Sequence, residues 1–132
     1  MKIIILLTIA VLWTLEISGA IPKSSVGGPL TITFVLLIGM LAVGLYEAWL
    51  NKRGVLGWIV NIFASVIGGL IVGMVAATAM DIILPLLILP FVSFEGSLAS
   101  SRHPLLYILE AGMAIALLMG SWFTLQIVNR FR

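Results

Sequence analysis

Long apolar runs separated by short polar connections decide most of what this chain can fold into. A helix needs about 20 mostly apolar residues, at a rise of about 1.5 Å each, to cross a hydrocarbon core. Four stretches meet that requirement: Ile3–Ile21, interrupted by Glu16; Leu30–Leu50, with Glu47 near its end; Val55–Met80; and Pro104–Val128, with Glu110 inside. They predict an all-α, polytopic transmembrane helix bundle of about four spans, forming one domain over residues 1–132. Pro22–Pro29 (PKSSVGGP) is rich in helix breakers and reads as a turn. Asn51–Gly54 (NKRG) leaves room only for a tight hairpin, so spans two and three are antiparallel neighbours.

Composition closes off the other classes. The chain is 62% hydrophobic and 9% charged, against about 45–50% and about 25% in soluble domains. A water-soluble fold of this size has too little interior to hide that much apolar surface, and disordered, collagen-like and coiled-coil chains are excluded too. Without cysteine there is no disulfide, thiolate metal site or cysteine nucleophile. A single histidine, His103, cannot build a multi-histidine metal site. The seven basic residues are scattered, Lys52 and Arg53 being the only adjacent pair, so nothing points to nucleic acid. No nucleophile elbow or glycine-rich phosphate cradle is present. The expectation is a non-enzymatic protein with no cofactor and no metal, partnered by the lipid bilayer.

The segment 81–94, DIILPLLILPFVSF, is the irregular part. After Asp81 it has too few apolar residues to cross comfortably, and Pro85 and Pro90 each remove a backbone donor. A kinked extension of span three, a re-entrant half-helix and a flap over the bundle end all fit, with the extension or flap favoured. Four spans with the N-terminus inside put Lys2, Lys52, Arg53, Arg130 and Arg132 in the cytoplasm and only Lys23 and Arg102 outside. A fifth span would reduce that five-to-two bias to four against three, so four spans, with both termini cytoplasmic, satisfy the positive-inside rule better. Lys2, the run Ile3–Leu15 and Ser18-Gly19-Ala20 also resemble a secretory signal with a small-x-small cleavage site. Glu16 and Pro22 crowd that site, and the segment is read as retained.

Helices in lipid associate through close backbone approach and hydrogen bonds, so small residues mark their contacts. Span three carries such a series at four-residue spacing: Gly57, Asn61, Ser65, Gly69, Gly73, Ala77 and then Asp81. Span four carries Gly112, Ala116, Gly120 and Thr124, and span two carries Gly44 and Ala48. Tight packing of spans three and four is the simplest reading, and a homodimer through the same ridge is the alternative. Asn61 is expected to hydrogen-bond to a neighbouring helix. Trp49 and Trp58 flank the hairpin as an aromatic belt does, whereas Trp13 and Trp122 sit deeper with no evident role.

An ionisable group inside a span is a functional candidate by default, because placing it there costs free energy. Glu47, near the end of its span, is expected to pair with Lys52 or Arg53 at the interface. Glu16 is five residues from Ile21 and Glu110 six from Pro104, which puts both about 8–9 Å from the outer ends of their helices. Asp81 lies on the same side, and His103, Tyr107 and Glu110 share one helix face at four- and three-residue spacing. The plain reading is a polar plug, with Glu16 or Glu110 paired to Lys23, Arg102 or His103, or bonded to Ser18, Thr14 or Tyr107. The functional reading is a protonatable or cation-binding site open to the outside.

The runs NKRGVLGWIVNIF (Asn51–Phe63) and GSWFTLQIVNRFR (Gly120–Arg132) resemble small, uncharacterised four-span inner-membrane proteins of bacteria. That resemblance implies a bacterial inner membrane and no particular activity. Size and span count are also similar to small multidrug resistance transporters, whose first helix carries an essential glutamate where Glu16 stands. The prolines, the glycine pattern and the charge bias set this chain apart from them. The first expectation is a non-enzymatic accessory or homo-oligomeric membrane component; the alternative is a small proton- or cation-coupled transporter or channel using its embedded carboxylates, and a membrane enzyme on lipids, with His103 as its one visible base, comes third.

Overall fold

The computed structural model describes residues 1–22, 24, 26–88 and 104–131, with side chains described to Ile83 in the third helix and from Tyr107 in the fourth. Four helices follow one another: α1, Lys2–Ser18; α2, Gly27–Leu50; α3, Val55–Ile88; and α4, Pro104–Arg130. Among the described residues, three helical stretches are long and apolar enough to cross a membrane: Gly27–Leu50, Val55–Ile83 and Tyr107–Arg130. This is an all-α, multi-pass architecture.

α1 is shorter than its apolar run. Gly19 takes a left-handed conformation, φ 72°, and the amides of Gly19 and Ala20 turn back onto the carbonyls of Glu16 and Leu15. That cap stops the helix at Ser18 rather than at Ile21. Its 17 residues measure about 26 Å. α2 starts at Gly27, three residues before Leu30, and takes in Pro29. The proline is harmless there, because first-turn amides have no partner inside a helix.

α3 runs beyond Met80, through Asp81 and Pro85, to Ile88. One proline deletes one backbone hydrogen bond, which the turns on either side survive. The remainder of the irregular segment, 89–94 with Pro90, lies outside the described residues. In the α2–α3 hairpin the amides of Asn51, Lys52 and Arg53 bond to the carbonyls of Glu47, Trp49 and Ala48, and Lys52 has φ 47°.

α3 and α4 share the most extensive contact, α2 touches both, and α1 packs on α2 and α4. The core is Leu12 from α1, Leu36, Met40 and Val43 from α2, and Ala114, Leu117, Leu118 and Leu125 from α4. Glycines set the spacing. A Cβ on Gly44 would meet the backbone of Asn61 and Ile62 at 3.1 Å, and one on Gly120 would fall 2.5 Å from Cβ of Val72. Gly69 lies against Met40 and Ser121, Gly73 against Leu117, and Gly68 against Thr124. Gly112 meets Met80 more loosely. Ser65 Oγ ties two helices together by donating to the Met40 carbonyl at 2.6 Å.

The small-residue ridge therefore does its work inside the chain. Gly57, Asn61, Ser65, Gly69 and Gly73 are buried, Ala77 and Ala116 are half-buried, and Asp81 is exposed. Its central glycines, Gly69 and Gly73, are covered by the chain's own α2 and α4.

Candidate functional site

The C-terminal part of α1 and the N-terminal part of α4 lie at one end of the bundle, and the α2–α3 hairpin at the other. At the first end α1 and α4 face each other through two aromatic residues and two acids. Trp13 and Tyr107 pack edge to face, with ring centroids 6.4 Å apart and planes at 86°. Trp13 also donates its indole N–H to the Tyr107 carbonyl at 3.4 Å. Three residues beyond each aromatic stands an acid, Glu16 on α1 and Glu110 on α4. Their carboxyl groups are close enough for their charges to interact.

Glu110 is 8% exposed, and neither carboxyl oxygen has a hydrogen-bond partner among the described residues. Glu16 is half-buried. The hydroxyls expected to plug the site are committed elsewhere: Thr14 Oγ1 donates to the Ala10 carbonyl at 2.6 Å, and Ser18 Oγ to that of Leu15 at 3.0 Å. Both are bonds within α1, the usual fate of a hydroxyl in a helix. Asp81 is exposed on α3. Lys23, Arg102 and His103 lie outside the described residues. Of the sequence candidates, the structure thus brings together Glu16, Tyr107 and Glu110. Trp13 belongs with them; the signal for it was the shared aromatic-x-x-Glu spacing of Trp13–Glu16 and Tyr107–Glu110.

The hairpin end treats its polar groups differently. Glu47 Oε1 accepts from Gln126 Nε2 at 3.1 Å and from Asn51 Nδ2 at 3.3 Å. These amides, rather than Lys52 or Arg53, are its partners, because the hairpin turns Asn51 back over the last turn of α2 and carries Arg53 toward α4. Arg53 Nη2 donates to Asn129 Oδ1 at 3.3 Å, and Trp58 donates to the Arg53 carbonyl at 3.0 Å. Asn61 departs from expectation. It is fully buried, and its amide oxygen and nitrogen both lack a partner among the described residues. Close approach at Gly44 puts the α2 backbone against Asn61's backbone carbonyl rather than against its side-chain amide.

No group of three or more His, Cys, Asp or Glu side chains able to hold a metal ion occurs among the described residues. What the carboxyl end offers is a pair of acids. A buried carboxylate, Glu110, beside a half-buried one, Glu16, loses hydration and is repelled by its neighbour, and a cation bound there relieves both costs. A proton is the smallest such cation, and a monovalent ion the next. Fold and site together define a multi-pass helical membrane protein with an acidic pair between two of its helices. Compared with protein-family models, with curated proteins and with solved structures, the chain finds no match.

Proposed function

We propose that this chain is a non-enzymatic protein of a bacterial inner membrane that crosses four times, α1 included, with both termini in the cytoplasm. We propose further that it binds and exchanges a proton or monovalent cation at Glu16 and Glu110, as a small coupled transporter or channel. The supporting observation is Glu110: a buried carboxyl group with no partner among the described residues, facing a second acid across the α1–α4 contact. A purely structural position would be filled by an apolar side chain, because an unsatisfied buried polar group costs about 1–3 kcal/mol. An ionisable group kept inside a span marks an ion path or a proton relay. The five-to-two distribution of Lys and Arg supports the orientation, which opens the acidic pair toward the outside.

The test needs no knowledge of the transported solute. Difference infrared spectroscopy on the reconstituted protein reads a carboxyl band that responds to pH or to added cation. Glu110→Gln should abolish that band and any pH-driven flux, with insertion unchanged. A wild-type protein with no responsive carboxyl band, or a Glu110→Gln variant that keeps it, would refute the reading.

A second reading is an accessory component, of a larger membrane complex or of a homo-oligomer. One observation favours it: an open apolar groove of about 250 Å³ between α1 and α2, lined by Ile4, Leu7, Val11, Val35, Ile38 and Gly39 among others. A stoichiometric partner, or a second copy, retained through purification in mild detergent would move the weight to this reading.

A further inference from the structure

The hairpin end holds a second site of different chemistry. An open groove of about 470 Å³ is lined by Ala48, Trp49, Leu50, Lys52, Arg53 and Trp58, within the size range of small-molecule sites. It joins two cations to two indole rings where two spans end.

Lys52 has φ 47°, a left-handed conformation that disfavours a residue with a Cβ. Glycine would stand there without strain, and the sequence places a lysine. Arg53 is held on three sides: its amide by the Ala48 carbonyl, its carbonyl by the Trp58 indole, and Nη2 by Asn129. Its β and γ carbons lie across Gly57, where any Cβ would collide with them. Arg53 Nε, buried, has no partner among the described residues. The neighbouring acid, Glu47, is engaged by Asn51 and Gln126. Two positive charges thus stand at the groove, no acid among the described residues lines it, and Trp49 and Leu50 are 66% and 53% exposed beside them.

We propose that this groove binds the phosphate headgroup of an anionic phospholipid, with Lys52 and Arg53 on the phosphate and Trp49 and Leu50 against the upper acyl chain. Its depth, at the ends of two spans, is headgroup depth, where tryptophan also gathers. Basic pockets between helices at that level take anionic lipid heads. The apolar wall distinguishes a lipid from a free phosphate ion, which would have no use for it.

The test uses the full chain in phosphatidylcholine nanodiscs, with brominated phosphatidylglycerol or brominated phosphatidylcholine added as a quencher of tryptophan fluorescence. Phosphatidylglycerol should quench at severalfold lower mole fraction. Lys52→Gln should reduce that preference about fivefold, the worth of about 1 kcal/mol for one basic residue near an anionic surface. Lys52→Arg, which keeps the charge, should retain it. Equal quenching by the two lipids overturns the proposal, as does a preference unchanged in both Lys52→Gln and Arg53→Gln. Loss of the preference in millimolar inorganic phosphate assigns the groove to a free anion and overturns the lipid assignment.

Discussion

The two ends of this bundle each hold a glutamate near a neighbouring helix, and they treat it in opposite ways. At the hairpin end Glu47 is met by two side-chain amides, one from its own helix end and one from α4. At the other end Glu110 is more deeply buried and finds no partner among the described residues, while the residue facing it is a second acid. The first arrangement is what stability alone produces. In the second, stability is given up, and such places are where proteins keep their functional groups. Depth by itself does not separate the two kinds of site; the identity of the neighbour does.

Four substitutions would break or sharpen that contrast, each read by thermal or denaturant unfolding in mild detergent. The largest effect belongs to the frame both ends share. Gly120→Leu places a branched side chain where Val72 already stands, and should cost about 1–3 kcal/mol or more by forcing α4 off α3. A variant as stable as the parent would show that the α3–α4 spacing is not set by this glycine.

Next comes Glu110→Met. It removes a buried carboxyl group with no partner among the described residues and should raise stability by about 1–3 kcal/mol, while the proposed cation exchange should be lost. A loss of stability would mean that Glu110 is paired in the folded protein and would erase the difference between the ends. Asn61→Leu should gain about 1 kcal/mol, because two amide atoms with no partner among the described residues leave the core while its volume is kept. A clear loss would show that a bound water satisfies Asn61. The smallest change is Glu47→Met, an expected loss of about 0.5 kcal/mol, since its bonds are exposed. The opposite signs at Glu47 and Glu110 are the sharpest form of the comparison.

Much of the fold was legible because bilayer thickness and apolar run length are tied together. The hairpin, the long third and fourth helices and the use of glycine at their contact follow from spacing and composition alone. The first helix did not read correctly, because its stop depends on one left-handed glycine, and the apolar run continues past it to Ile21. The four-residue series in α3 does not stay on one face. At about 100° per residue a four-residue step overshoots a full turn by about 40°, and the series winds from buried Gly57 to exposed Asp81. The contact stays in register by shifting to Gly68 and Val72, which a four-residue rule passes over. At the carboxyl end, both acids were visible as improbable residues in apolar runs. Trp13 was not, because its role depends on which helix α1 lies against, and composition does not specify that.

The cap at Gly19 has a consequence for the membrane itself. It leaves α1 at about 26 Å, in the same bundle as an α3 of 34 residues and about 51 Å. A wall shorter than the hydrocarbon core draws the headgroups inward, whereas a longer one must lean or lift the surface around it. On the four-span reading, the bilayer is pinched on the α1 side of the protein and swollen on the α3 side. On that reading the pinch would fall beside the α1–α4 contact, and the proposed route of water and ions to Glu16 and Glu110 would cross less hydrocarbon than an even membrane imposes. Thicker bilayers should close that short route, and lipid chain length becomes a control on the site that involves no residue of it.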